Sequence, residues 1–311
     1  MAEYRQWREI NRIPLHEVVP LDTPYNLSIE VSSLCNARCC YCAHSSNNHG
    51  QFEGNMPDKL FEKIILDMSG FKHRIKKVGM FGFGESMCNH KLPSMIKTVY
   101  DTGVVGAVDL TTNGLLLTPE YIDHLIETGL DTIRISIQGL NEEAYWKYCR
   151  VKIDFEGFIR NLEYLFRNRG KMKVRMKIAD TAIREINDGE KRFEELFGSI
   201  SDSIFVEHIM PIYSNIDYDS IDTRIKAEAK NGREKIVQEH INKVCHRAFY
   251  RCRVRADGRL TAACCDSTQD VTFGNVYEDN LVDLWNGQKR KDFLSLQLLG
   301  GVLTYQNADI V

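Results

Sequence analysis

Three cysteines near the start of the chain have the types and the spacing to hold a metal group. Cys35, Cys39 and Cys42 form a Cys-x3-Cys-x2-Cys run. Soft thiolate ligands suit iron–sulfur clusters or zinc. Three thiolates on one short loop can hold three irons of a four-iron cubane and leave the fourth iron open to a small molecule. Alternatively, the run is half of a zinc site, for which His44 and His49 are near enough to supply a missing ligand.

The chain around this loop alternates between strand-like and helix-like segments. Strands are predicted over residues 26–32, 76–81, 107–112, 132–137, 173–178 and 203–208, and helices over 91–102, 118–127, 141–148, 155–168 and 190–197. These β/α units predict an α/β fold with a parallel sheet, which right-handed crossovers would curl into a partial (β/α)6 TIM-like barrel. Ligands of such sheets bind at the carboxyl ends of the strands, which is where the cysteine loop falls.

Segments at the other strand ends are also suited to hold a ligand. Residues 82–85 (Gly-Phe-Gly-Glu) follow the second strand, and glycines let a backbone approach a ligand closely. Thr112 and Asn113 end the third strand, Ser136 lies near the end of the fourth and Lys177 near the end of the fifth. Each of these segments alone is also compatible with an ordinary turn or a solvated strand end. Their occurrence together with the cysteine loop, in the order of the strands, is what indicates a ligand site.

Together these segments resemble the radical S-adenosylmethionine (SAM) superfamily, over about residues 25–211. In that family the open iron chelates the amino and carboxylate groups of SAM, and electron transfer cleaves SAM to a 5′-deoxyadenosyl radical. The resemblance implies a [4Fe–4S] cluster on the three cysteines. It departs from the family at Gln138, where Asp is common. The SAM-contacting residues that the resemblance implies are Tyr41 (against the adenine), Gly82, Gly84, Glu85 (at the ammonium), Thr112, Asn113, Ser136 and Lys177.

A second group of cysteines lies near the C-terminus, around a predicted β-hairpin with its turn at Asp257-Gly258. The segment resembles the SPASM/twitch extension of radical SAM enzymes over about residues 244–293. In that extension, cysteines flanking the hairpin bind an auxiliary [4Fe–4S] cluster. The family's closing Cys-x2-Cys pair has no counterpart in this sequence. The metal ligands that the resemblance offers are Cys245, Cys252, Cys264 and Cys265.

Three interpretations of this second group stay open. The auxiliary cluster has an open iron, or the chain is shortened relative to its relatives, or the extension has lost its cluster and serves as a lid. Binding by all four thiolates is strained, because Cys264 and Cys265 are adjacent and point to opposite faces, and Cys252 sits inside a strand. Zinc in place of the cluster is a further alternative.

Charge and composition exclude several classes of protein. The 43 acidic and 40 basic residues leave a net charge of −3, without the basic stripe that nucleic-acid binding needs. The polar start has no signal-peptide pattern, and no apolar run reaches membrane-spanning length. Ten cysteines without a secretion signal favour metal or redox chemistry in a reducing cytosol. The sequence therefore predicts a cytoplasmic protein that binds neither nucleic acid nor membranes.

The predicted organisation has four parts. They are an N-terminal arm at residues 1–24, a radical SAM core at 25–211, a connector with a helix at 212–243, and a small SPASM/twitch-like extension of hairpin and helix at 244–311. The short arm leaves no room for a peptide-binding module in front of the core. This favours a small-molecule substrate over a peptide.

The predicted function is that of a radical SAM oxidoreductase. The pattern at residues 134–139 resembles radical SAM proteins of sugar and aminocyclitol pathways, which implies a sugar- or aminocyclitol-like substrate and its dehydrogenation or epimerisation. The implied partner is a reductant such as flavodoxin or ferredoxin. Epimerisation would need a hydrogen-atom donor, for which Cys252 and Cys149 are the candidates. Two alternatives stay open: a maturase of ribosomally made peptides (RiPPs) with the same radical chemistry, and a non-enzymatic zinc-binding or degenerate module.

Overall fold

A single mixed sheet organises the protein. The computed structural model describes residues 13–46, 52–209, 211, 216–226, 245–262 and 271–299. The strands, in chain order, are β1 Asn26–Ile29, β2 Lys77–Met80, β3 Val108–Thr112, β4 Thr132–Ile137, β5 Lys173–Ala179, β6 Ser203–Glu207, β7 Arg251–Val254, β8 Arg259–Thr261 and β9 Thr272–Asn275. Their spatial order is β6-β5-β4-β3-β2-β1-β7-β8-β9, and β1 to β6 pair in parallel.

Helices connect the parallel strands. They are α1 Ala43–Ser46, α2 Asp58–Met68, α3 Leu92–Asp101, α4 Pro119–Ile126, α5 Glu142–Cys149, α6 Phe155–Asn168, α7 Gly189–Phe197, α8 Tyr218–Ile221, α9 Leu281–Asn286 and α10 Gln288–Leu298. Side chains at the predicted helix starts accept a backbone N–H three residues on: Thr118 before α4, Asn141 before α5 and Asp154 before α6. Such caps satisfy N–H groups that the first turn leaves without partners.

The two faces of the sheet differ in chemistry. One face carries buried apolar side chains such as Leu27, Val78, Leu110, Ile135 and Met176, which belong to the main core. The opposite face is polar and follows from the alternation of side chains along each strand. It includes Ser28, Lys77, Asp109, Thr111, Arg134, Ser136, Arg175, Lys177 and Arg253. A parallel sheet with one polar face fits the predicted partial barrel, whose interior is lined by polar groups, and the sheet is not closed. The α/β fold class is therefore confirmed.

The C-terminal hairpin continues this sheet. Strand β7 pairs in parallel with β1, with Leu27 opposite Cys252, and β8 and β9 extend the edge in antiparallel order. Gly258 in the predicted turn has φ +87°, a left-handed conformation that glycine adopts without strain. No local sequence pattern indicates that β7 lies beside β1.

Helix α9 fastens the extension to the core. The carboxylate of Asp67 at the end of α2 accepts hydrogen bonds from the side chain of Asn280 and the backbone N–H of Leu281, both at 2.9 Å. The indole of Trp285 donates to the carbonyl of Leu21 at 2.8 Å. Within the described segments, no helix combines the length and the apolar character needed to cross a membrane.

Candidate functional site

The cysteine loop leaves the carboxyl end of β1 and is held from behind by α5. The backbone N–H groups of Arg38 and Cys40 donate to the carbonyls of Cys149 and Tyr148, at 2.8 and 2.9 Å. These carbonyls belong to the last turn of α5, where no intrahelical donor is left for them. The loop is thus fixed against a helix end, while the thiols of Cys35, Cys39 and Cys42 stay partly exposed.

The three thiols share one electrostatic environment. Burial raises the pKa of Cys35 to about 12, with smaller contributions from the charges of Glu85 and of the Cys39 and Cys42 thiols. A hydrogen bond with the Cys149 thiol, together with burial, raises the pKa of Cys39. The pKa of Cys42 is raised by burial and by Cys39. The three sulfurs are therefore close enough to act on one another, and metal binding would have to displace their protons.

These residues fit an iron–sulfur cubane. Three soft donors on one short loop, mutually close and partly exposed, match the ligand set of a cluster with one open iron. Among the described residues, no group of three or more His, Cys, Asp or Glu side chains is already arranged around a single metal position.

The glycine-rich loop after β2 packs directly on the cysteine loop. A Cβ on Gly84 would lie 2.5 Å from the carbonyl oxygen of Ser32 and 2.7 Å from that of Leu34. The N–H of Glu85 donates to the same Leu34 carbonyl at 2.7 Å. A Cβ on Gly82 would lie 2.2 Å from a carboxylate oxygen of Glu30. A side chain at position 82 or 84 would therefore clash with neighbouring atoms. The two glycines let the glycine-rich loop pack against the cysteine loop.

The buried carboxylate of Glu85 joins the ends of β2 and β3. It accepts hydrogen bonds from the Thr112 hydroxyl (2.7 Å), the Asn113 N–H (2.7 Å) and the Met87 N–H (3.1 Å). Burial raises the pKa of Glu85, and these hydrogen bonds act in the opposite direction. A carboxylate has about four acceptor positions, so three are used by the protein. The contact of Glu85 with the SAM ammonium remains a prediction.

Residues from β3 and β4 also reach the cysteine loop. The Asn113 amide donates to the side chain of Asn36 at 2.7 Å. The hydroxyl of Tyr41 donates to the Gln138 side chain, whose amide donates to the Ser136 carbonyl at 3.2 Å. The glycine-rich loop and the ends of β3 and β4 therefore lie together beside the cysteine loop.

Lys177 lies beside this group but has a protein partner. It is the register partner of Ser136 on β5, and its ammonium forms an ion pair with Glu207 on β6. A contact of Lys177 with the SAM carboxylate would have to compete with Glu207, and it also remains a prediction.

The structure describes two of the four C-terminal cysteines, Cys245 and Cys252. Cys245 precedes a short 3-10 helix, and its N–H donates to Gln297 at 3.3 Å. Cys252 is completely buried on the apolar face of β7, where burial raises its pKa to about 12. Cys264 and Cys265 lie outside the described residues, so the ligand set of an auxiliary cluster stays a prediction.

Sequence reasoning missed a buried ion pair next to the glycine-rich loop. The Arg255 guanidinium donates to Glu30 at 3.1 Å, and both side chains are almost fully buried. The other oxygen of Glu30 accepts the N–H of Phe83 at 2.8 Å. The available signal was a single acidic residue in an apolar strand directly before the cysteine loop.

Comparison with known proteins identifies the family. The model of the radical SAM superfamily matches residues 29–195, more than half of the chain. The protein is a member of the radical SAM superfamily. A model described as an iron–sulfur cluster-binding domain, SPASM, matches residues 245–303 of this radical SAM enzyme. Its cofactors are accordingly SAM and a [4Fe–4S] cluster, which the thiol loop of Cys35, Cys39 and Cys42 fits.

Similar proteins include enzymes of different reactions. The radical SAM chain is 25% identical to the tungsten-containing aldehyde ferredoxin oxidoreductase cofactor-modifying protein of Pyrococcus furiosus, over 85% of this chain and 81% of that protein. It is 29% identical to a probable GTP 3′,8-cyclase of Methanococcus aeolicus over 39% of this chain, and the match spans only 40% of that relative's length. The structure of SuiB from Streptococcus suis bound to S-adenosylmethionine has the same fold, with a TM-score of 0.65 at 16% identity over 91% of this chain and 70% of SuiB.

Proposed function

We propose that this radical SAM enzyme removes a hydrogen atom from a small, polar, sugar- or aminocyclitol-like substrate and dehydrogenates it. The observation that carries the proposal is the polar face of the sheet. It begins at the cysteine loop and bears hydroxyl, amide and charged groups from β1 to β5, such as Ser28, Thr111 and Ser136. A substrate rich in hydroxyl or amino groups finds hydrogen-bond partners on such a surface, whereas an apolar substrate does not.

The chain's own residues hold and orient the reactants. When bound, the first cluster and SAM supply a 5′-deoxyadenosyl radical, and an auxiliary cluster supplies an acceptor for the electron of the oxidised substrate. Glu85, through Thr112 and Asn113, fixes the strand ends that border SAM. Side chains of the polar face then fix the target C–H bond against the SAM site, which lowers the barrier by orientation.

Dehydrogenation is favoured over epimerisation by the position of the two candidate hydrogen donors. Cys252 lies on the apolar face of β7, opposite in direction to its neighbours Arg251 and Arg253. Cys149 is fully buried behind the cysteine loop, against Cys39. The Cys252 thiol therefore points away from the polar side of the sheet, where the substrate would be held, and the Cys149 thiol is buried and hydrogen-bonded with Cys39.

A small-molecule substrate also agrees with the relatives. The names of two of them refer to small molecules, GTP and an oxidoreductase cofactor. The proposed partners are therefore the substrate and a low-potential reductant such as flavodoxin or ferredoxin, and the proposed location is the cytoplasm, where thiols stay reduced.

The test is turnover by the anaerobically reconstituted protein. SAM and dithionite are supplied with a panel of sugars, aminocyclitols, nucleotides and peptides. Substrate-dependent formation of 5′-deoxyadenosine, with loss of two hydrogens from a panel member, is the expected result. If a peptide is the one panel member that reacts, the proposed sugar-like substrate is wrong and the enzyme acts on peptides. If the product has the mass of the substrate and an inverted stereocentre, the reaction is an epimerisation and not a dehydrogenation. Cys39→Ala should abolish 5′-deoxyadenosine formation.

A further inference from the structure

Two arginines lie side by side in the middle of the polar face. Arg134 on β4 and Arg175 on β5 are register partners in a parallel pair, so their side chains leave the same face of the sheet from backbones about 4.8 Å apart. Thr111 on β3 is the register partner of Arg134 on its other side. The Arg134 guanidinium donates to the Thr111 hydroxyl at 3.1 Å. These three residues, here called the arginine row, cross three adjacent strands.

Arg134 differs from other cations of this face in having no acidic partner. Lys77 is bound to Asp109 at 2.9 Å, and Lys177 is bound to Glu207. In the part of the chain that the structure describes, no carboxylate lies within ion-pair distance of Arg134. Its hydrogen-bond partner is a neutral hydroxyl, so its charge is left without a counter-charge of the protein.

The positive charge of Arg134 acts on the neighbouring guanidinium of Arg175. Burial lowers the pKa of Arg175, and the charge of Arg134 lowers it further. Asp109 and Asp202 act in the opposite direction. Like charges on adjacent strands repel one another, and an anion bound between Arg134 and Arg175 would reduce that repulsion.

We propose that the arginine row binds an anionic group of the substrate, a phosphate or a carboxylate. Guanidinium groups present planar pairs of donors that match both anions, and the Thr111 hydroxyl adds a further polar contact. The inference rests on the proposed function, in which the polar face holds the substrate. It narrows the substrate class to an anionic small molecule, such as a sugar phosphate or a sugar acid.

The arginine row lies at a different level along the strands from the predicted SAM contacts. Ser136 and Lys177 are two residues further along the same strands, toward the cysteine loop. Two residues of a strand span about 7 Å, so the row lies one layer deeper than these residues. If Lys177 binds the SAM carboxylate as predicted, the anionic group of the substrate would lie one layer away from it along the strands.

Binding of simple anions to the reconstituted full-length protein tests the proposal. Inorganic phosphate and acetate represent the two anionic groups, and their dissociation constants are measured by calorimetry in the wild type, Arg134→Gln and Arg175→Gln. We expect the wild type to bind at least one of them and each variant to bind it about tenfold more weakly, the loss typical of one charged hydrogen bond. Arg167→Gln, on the exposed side of α6, is the matched control and should bind like the wild type.

Three results would overturn the proposal. They are a wild type that binds neither anion, an equal loss of anion binding in Arg167→Gln, and arginine variants that lose SAM affinity as much as anion affinity. The last result would assign the row to the SAM carboxylate. If Arg175→Gln does not fold, Arg175→Lys takes its place, because lysine keeps the positive charge but lacks the planar pair of donors. Formation of 5′-deoxyadenosine by the wild type with the substrate panel is measured in parallel, since its absence with every panel member would contradict the proposed function and not the row.

Discussion

Arg255 and Glu30 form an ion pair inside the protein, although 225 residues separate them in the chain. The guanidinium of Arg255 comes from the end of β7, in the extension, and the carboxylate of Glu30 comes from the end of β1, five residues before the first cluster cysteine. The same carboxylate accepts the Phe83 N–H, and Arg255 lies over the Phe83 ring at 5.2 Å. One buried pair therefore links the cysteine strand, the glycine-rich loop and the C-terminal hairpin.

Removing one member of this pair should strongly destabilise the fold. Arg255→Met leaves the Glu30 carboxylate buried without its counter-charge, which typically costs about 3–5 kcal/mol. The double variant Glu30→Gln/Arg255→Met should lose less than the sum of the two single changes, because it leaves no unpaired charge. Anaerobic urea unfolding measures these differences. Lys97→Met is the control, because the Lys97–Asp101 pair is exposed and should contribute less than about 1 kcal/mol. A loss below that value for Arg255→Met would contradict the prediction.

Gly84→Ala should disturb the cluster site through the backbone. The added Cβ would meet backbone atoms of Ser32, Ser33 and Leu34 at 2.5–2.7 Å, so the cysteine loop or the glycine-rich loop must move. We expect lower iron retention and weaker SAM binding, with a stability loss of about 1–3 kcal/mol typical of overpacking.

The control for this variant is Gly198→Ala. Gly198 has φ −64°, and its added Cβ would meet only a side-chain carbon of Glu194 at 3.3 Å. Iron content and equilibrium dialysis of SAM are compared for both variants. Equal iron and equal SAM affinity in Gly84→Ala and the wild type would show that the close packing of the two loops is unimportant.

The sequence predicted the six parallel strands well because their signal is local. Alternation along 132–137 and the Thr118-Pro119 start of α4 are readable from neighbouring residues, and the observed bounds Thr132–Ile137 and Pro119–Ile126 agree closely. The cysteine loop was likewise predictable, since its ligands lie within eight residues.

Other features depend on contacts between distant segments. Strand β1 was predicted to end at residue 32 but ends at Ile29. The next residue, Glu30, forms the ion pair with Arg255. Helix α2 was not predicted, although its Asp67 holds α9. The parallel pairing of β7 with β1 joins residues more than 200 positions apart, and no local pattern encodes that register. The same limit hid the arginine row, which exists only through the pairing of three strands.

Iron content should separate one cluster from two. Two cubanes require about eight irons per chain after anaerobic reconstitution, and replacing Cys35, Cys39 and Cys42 by Ala should lower this to about four. A fall from about four to none would mean a single cluster, which would remove the acceptor on which the proposed dehydrogenation depends. Sulfide is measured with iron, and Cys88→Ala is the control, because Cys88 lies in neither cysteine group. Retained 5′-deoxyadenosine formation by the triple variant would contradict the cluster assignment.

Cys252→Ala should change neither iron content nor product. The side chain is completely buried among apolar residues and lies on the opposite face of β7 from the proposed substrate, close to the buried guanidinium of Arg290. We therefore expect only a modest stability loss, on the order of 1 kcal/mol for a small buried group. Cys245→Ala is the comparison, because Cys245 is partly exposed and precedes the hairpin, so it should lower iron if the extension holds a cluster. Loss of iron in Cys252→Ala would make this thiol a cluster ligand. Normal iron and normal 5′-deoxyadenosine with no product would make it the hydrogen donor of an epimerase.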